Sequence, residues 1–119
     1  MFDKWSVIFC QEFAPEFNAL NEIVKVELLA RIDQLTQVGP ELGRPYADTL
    51  KGSKHSNMKE LRFNADNGVW RVAFAFDPTR QAIILIAGDK VGKKQKKFYQ
   101  QLIKKADDRF DNHLENLEE

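Results

Sequence analysis

Six side chains in the second half of the chain could act together on a phosphodiester: Arg62, Arg71, Lys90, Lys93, Lys94 and Tyr99. Arginine forks match phosphate oxygens and can steady the extra negative charge of a pentacoordinate transition state. A nearby tyrosine can stack on an unpaired base or exchange a proton. No tight histidine pair, carboxylate dyad or metal-ligand spacing accompanies them, which points away from metal-assisted hydrolysis. No metal site and no cofactor are expected. Without a metal, RNA can bring its own nucleophile, the 2′-hydroxyl, leaving the protein to orient it and steady charge; DNA cannot. Taken alone, Arg62 and Arg71 read more simply as a wet sheet face making ion pairs to Glu60 or Asp89. Their convergence with the lysines and Tyr99, with no comparable cluster of carboxylates beside them, is what suggests an anion site.

The elements that position these groups follow from periodicity. From Met58 the apolar period is two, with Leu61 and Phe63 on one side and Glu60, Arg62 and Asn64 on the other. Asp66-Asn67-Gly68 signals a hairpin, and Asn67-Gly68 suits the two positive-φ positions of a type I′ turn. With that loop, Arg62 pairs with Ala73 and Asn64 with Arg71, so the two arginines are diagonal neighbours on one face. Trp70, Val72, Phe74 and Phe76 take the other face, Trp70 as core. After a turn at Asp77-Pro78-Thr79-Arg80, Gln81–Gly88 is almost continuously apolar and is expected inside the sheet. A helix from about Lys93 carries Phe98, Leu102, Ala106, Phe110, Leu114 and Leu117 as its apolar stripe. Its first turns are basic and its last acidic, against the helix dipole, which hints at a role for those lysines beyond folding.

The first third reads as a strand over Trp5–Cys10, covered near its end, then one helix from Ala14-Pro15 to Gly39-Pro40. The segment from Leu42 to Asn57 is basic and loop-like, a pattern more often functional than idle in a compact domain.

Charge is segregated along the chain. The totals balance at 18 basic and 18 acidic side chains. Residues 1–43 hold three basic and seven acidic groups, residues 44–105 fourteen and five, and residues 106–119 one and six. The basic middle is the footprint of a polyanion site, with Lys51, Lys54, His55, Lys59, Lys94, Lys96 and Lys97 as candidate RNA contacts. For His55 a loop hydrogen bond is the simpler role, and His113 lies in the acidic end of the last helix.

At 119 residues and 43% hydrophobic, with nine Phe, two Trp and two Tyr, the chain reads as one domain over residues 1–119 with a single core. The one cysteine, Cys10, excludes an intrachain disulfide and reads as a small core residue. No apolar run of membrane-spanning length and no leader pattern in the first residues are visible, so a cytoplasmic protein with no membrane partner is expected.

The segments Leu42-Gly43-Arg44-Pro45-Tyr46, Asp48-Thr49-Leu50-Lys51-Gly52-Ser53, Met58-Lys59-Glu60-Leu61-Arg62, Trp70-Arg71-Val72, Phe74-Ala75-Phe76-Asp77-Pro78, Gly88-Asp89-Lys90 and Lys97-Phe98-Tyr99 together resemble the phage-related HigB-like branch of the RelE toxin superfamily. The resemblance spans nearly the full chain. It implies an α+β, RelE-like fold: a small, mainly antiparallel sheet packed against an N-terminal and a C-terminal helix. It implies a type II toxin acting as a metal-independent, ribosome-dependent endoribonuclease on messenger RNA, neutralised by a cognate helix-turn-helix antitoxin. It places Arg71 near the scissile phosphate, Arg62 at a second substrate position, Lys90, Lys93 or Lys94 near the leaving oxygen, and Tyr99 against the nucleotide. The alternative is a non-catalytic toxin of the same fold that binds a nucleic-acid enzyme such as gyrase. The antitoxin is expected to cover the basic face or brace the last helix.

Overall fold

The computed structural model describes residues 4–118; the leader-free reading of the first residues falls largely outside them. The elements run β1 (Ser6–Phe9), α1 (Phe13–Ala19), α2 (Glu22–Val38), a 3-10 turn (Gly39–Glu41), β2 (Ala47–Thr49), β3 (Met58–Ala65), β4 (Gly68–Phe76), β5 (Gln81–Asp89) and α3 (Gln95–Leu117). They build one five-stranded sheet in the order β1-β5-β4-β3-β2. Only the β1–β5 pairing is parallel. The α+β architecture matches the expectation, with β5 inside the sheet.

The two sheet faces have different covers. Leu61 and Val72 are fully buried on one face, as are Leu28 and Leu35 of α2. Lys59, on the same face, donates from Nζ to the carbonyl of Pro40 just past α2, 3.0 Å away. The other face carries Glu60, Arg62, Arg71 and Ala73 and lies under α3, whose Phe98, Leu102, Ala106 and Phe110 are buried. Gly88 permits the close approach: a Cβ there would lie 2.9 Å from the Phe98 ring.

Several sequence expectations need correction. The hairpin loop is Asp66-Asn67, both at positive φ (50° and 62°), not Asn67-Gly68. Gly68 is the first residue of β4, and is needed there because a Cβ would meet Trp70 Nε1 at 2.7 Å and Asp89 Oδ2 at 2.9 Å. The register moves accordingly: Arg62 pairs directly with Arg71, and Phe63 with Trp70. Because opposed residues still share a face, the apolar side remains apolar.

The single N-terminal helix is two helices. Leu20 is extended, and Asn21 caps α2 by accepting from the Val24 N–H at 3.1 Å. The strand at residues 6–9 is an edge strand with Ser6 and Ile8 exposed, not a covered one. The long basic loop contains β2, which pairs antiparallel with β3 and puts Asp48 opposite Glu60. In α3 the apolar stripe is buried to Phe110, while Leu117 is exposed. Among the described residues no helix is long and apolar enough to cross a membrane.

Candidate active site

Three strands and one helix bring the central cluster together. Glu60 and Arg62 lie two apart on β3 and therefore point to the same face. Arg71 on β4 stands directly opposite Arg62. Lys90 follows β5, held by its N–H to the Val69 carbonyl at 2.8 Å. Asp89 shapes that corner by accepting from the N–H groups of Val69 and Val91, each at 3.0 Å. Tyr99, in the second turn of α3, completes the group.

Glu60 organises it. One carboxylate oxygen accepts from Arg62 Nη1 at 2.8 Å, the other from the Tyr99 hydroxyl at 2.9 Å. That hydroxyl in turn accepts from Arg71 Nε at 3.2 Å, and Arg71 Nη1 donates to the Trp70 carbonyl at 2.9 Å. Glu60 and Arg71 are only 4% and 7% exposed, so these bonds form where water competes poorly. The cluster thus holds one carboxylate, Glu60, set among several cations. Of the two suggested ion-pair partners, Glu60 is used, and Asp89 is spent on backbone.

Electrostatics follow from this packing. Burial, followed by repulsion from Arg71 and Arg62, holds the Lys90 ammonium below the ordinary lysine range, with Glu60 opposing. Lys90 Nζ lies 5.8 Å from the Tyr99 ring centroid. Burial, reinforced by the bond to Glu60, pushes the Tyr99 phenol up, keeping it protonated; Arg71 acts in the opposite direction.

The cluster opens into a cleft of 410 Å³, whose walls include Arg44, Lys51, Arg62, Lys90, Gln95 and Tyr99. Arg44 is paired with Asp48 at 2.8 Å. A second groove of 580 Å³ shares Lys51 and Tyr99 and continues past Lys54, Lys96 and Lys104. Together they form a track in which lysines and arginines outnumber Asp48, Glu60, Asp107 and Asp108, with an aromatic at its junction, an arrangement that suits a single-stranded polyanion.

The remaining predicted residues lie elsewhere. Lys93 sits over the Phe98 ring at 5.8 Å. It lines a pocket with Lys94 and Lys97 on another flank of α3, apart from the arginine pair. Lys59 belongs to the opposite sheet face. His55 Nε2 is 2.8 Å from Asp111 Oδ1, its ring edge-on to Phe110. Lys54 also pairs with Asp111, and Asp107 accepts from the Lys54 N–H at 3.2 Å. The acidic end of the chain therefore folds against the basic loop, cancelling charge that the linear pattern leaves segregated. Among the described residues no group of three or more His, Cys, Asp or Glu side chains is placed to hold a metal ion.

Sequence reasoning named Glu60 only as an ion-pair partner of the arginines and missed its bond to Tyr99. The available signal was its alternation with Arg62 on one strand; its partnership with Tyr99, 39 residues away, required the fold.

Comparison with known proteins agrees with the architecture. Residues 15–111 match the family model described as "Phage derived protein Gp49-like (DUF891)". Two Mycobacterium tuberculosis proteins named as candidate toxins are similar: HigB2, 44% identical over 103 residues, and HigB3, 43% identical over 109 residues. These alignments cover 86% and 92% of the chain respectively. The chain spans about half the length of HigB2 (51%) and nearly all of HigB3 (93%). Among solved structures, a double arginine-to-alanine mutant of the E. coli toxin RelE in the free state superposes with a TM-score of 0.61 at 12% identity. That match covers 86% of this chain and 96% of RelE and bears on the fold alone.

Proposed function

From the premise that the chain belongs to the phage-derived Gp49-like family and is a toxin of the RelE/HigB kind, we propose that it is a metal-independent endoribonuclease that cuts messenger RNA on the ribosome and is held in check by an antitoxin. The observation that carries this reading is the Arg62–Glu60–Tyr99–Arg71 network, built around buried Glu60 and Arg71 and opening into a cleft walled by Arg44, Lys51 and Lys90.

In this reading the scissile phosphate lies over Arg62 and Arg71, whose remaining N–H groups bind its non-bridging oxygens. The 2′-hydroxyl attacks phosphorus and passes its proton to the Tyr99 oxygen, while Tyr99 passes its own proton to Glu60. The phosphorus–O5′ bond breaks and O5′ takes a proton from Lys90, whose lowered pKa makes it a better donor. The products are a 2′,3′-cyclic phosphate and a 5′-hydroxyl. Lys51 and Lys96 hold the flanking strand along the adjoining groove, Lys54 being paired with Asp111.

The test is to map RNA ends after induction in growing cells, comparing the parent with Arg71→Ala. Cleavage within translated messages, lost by 100-fold or more in the variant, is the expected result. Equal cutting and equal growth arrest by Arg71→Ala would reject the assignment. DNA breaks with intact messages would return the non-catalytic, gyrase-directed alternative.

A further inference from the structure

The helix α2 is apolar on two sides. Val24, Leu28 and Leu35 are buried against the sheet, yet Ile23, Val26 and Leu29 on its outer side are 55%, 62% and 49% exposed. Together with exposed Ala30 they fall at i, i+3, i+6 and i+7 and form one patch. A helix apolar all round is ordinarily covered all round.

The charges around the patch specify the cover. Of the two cations of α2, Arg31 turns away over the Tyr46 ring, and Lys25 lies over the Phe17 ring with its Nζ 3.3 Å from Glu22. Asp33 is exposed at one end of the patch, and Glu22 at the other, where it pairs with Lys25. Isologous pairing of two copies through α2 would set these acidic groups of one copy near those of the other, which is unfavourable. A partner helix with an apolar stripe and a basic rim has no such conflict.

We propose that the outer face of α2 is the docking surface for the antitoxin, engaging an amphipathic antitoxin helix whose apolar stripe is flanked by lysine or arginine. The inference rests on the toxin reading above. Because α2 covers the sheet face opposite Arg62 and Arg71, this partner leaves the cationic cleft uncovered. It therefore differs from the expectation that the antitoxin covers the basic face or braces the last helix.

Calorimetric titration of the full chain with the full-length antitoxin encoded beside it tests this. Val26→Asp and Ile23→Asp each weaken binding by 10-fold or more, with melting temperature and RNA cleavage retained, since both positions are exposed. The Glu22→Lys/Asp33→Lys double variant also weakens binding and flattens its salt dependence. Arg62→Ala binds as the parent does. Parental affinity in both α2 aspartate variants overturns the inference, as does a parental homodimer that Val26→Asp dissolves. Failure of the parent to bind any such antitoxin instead overturns the toxin reading on which the inference stands.

Discussion

Arg62 and Arg71 stand directly opposite each other across the β3–β4 ladder, a position where like charges ordinarily destabilise a sheet. Glu60 makes the pairing tolerable, with Arg62 Nη1 at 2.8 Å and Arg71 Nε at 3.9 Å from its two oxygens. Glu60→Ala is therefore expected to cost about 3–5 kcal/mol, because it strands the buried Arg71 cation beside the half-buried Arg62. Adding Arg62→Ala to that variant should recover part of the loss. Urea denaturation of both single variants and the double variant measures the coupling. Strictly additive losses would mean that Glu60 does not neutralise this pair.

Gly88 lies opposite Arg71 on β5 and directly beneath Phe98, the neighbour of Tyr99. An alanine at 88 must push the start of α3 outward, lengthening the bond between Tyr99 and Arg71. Gly88→Ala should lower stability by about 1–3 kcal/mol and reduce kcat more than it raises KM. Combining it with Phe98→Leu, which frees the space, should restore both in part. Thermal melts and cleavage kinetics read the two effects separately. An unchanged kcat in a destabilised Gly88→Ala protein would dissociate the helix position from the chemistry.

Most of the sheet was legible because period-two patterning and turn residues are local signals. The face assignment of Arg62 and Arg71 survived a wrong hairpin loop because the register moved by an even step. Which pair of Asp66, Asn67 and Gly68 forms the loop depended on a nonlocal fact, the crowding of Trp70 and Asp89 around Gly68. The break at Leu20-Asn21 had a local signal in the capping asparagine, outweighed by the helical spacing running through it. Glu60 and Asp111 were harder to read. Each matters through a partner brought from a distant element, Tyr99 in one case and the Lys54-His55 loop in the other.

Asp77 sets an acid limit on the fold. Burial alone would push its carboxyl up, but bonds from His113 (2.7 Å), the Thr79 hydroxyl (2.7 Å) and the Gln81 and Thr79 N–H groups outweigh it and hold the pKa below the ordinary value. Glu16 beside Arg109 and Asp111 beside Lys54 are lowered as well. A carboxylate with a depressed folded pKa stabilises above its unfolded pKa of about 4, and that contribution is lost as pH falls through the folded value. Stability should accordingly drop steeply below about pH 4, and Asp77→Asn should flatten the slope while lowering stability at pH 7. Denaturation midpoints measured from pH 7 to pH 2 check this; an unchanged slope in Asp77→Asn would remove Asp77 from the account.

Under the proposed endoribonuclease reading, Lys90 gives the catalytic pH profile a predictable alkaline side. Its ammonium is held below the ordinary lysine range by burial and then by Arg71 and Arg62, so the charged form needed in the cleft is lost earlier as pH rises. The alkaline fall in kcat/KM should begin below the pH at which an exposed lysine would titrate. Lys90→Arg keeps the charge but donates its proton far less readily, so it should move that fall upward while lowering the rate at neutral pH by about 10- to 100-fold. Lys90→Met should lower the rate at every pH and lose the limb altogether. These profiles, taken with one RNA substrate at fixed salt, separate a proton donor from a simple phosphate contact. If Lys90 merely binds phosphate, Lys90→Arg will retain the neutral rate and only the position of the limb will change.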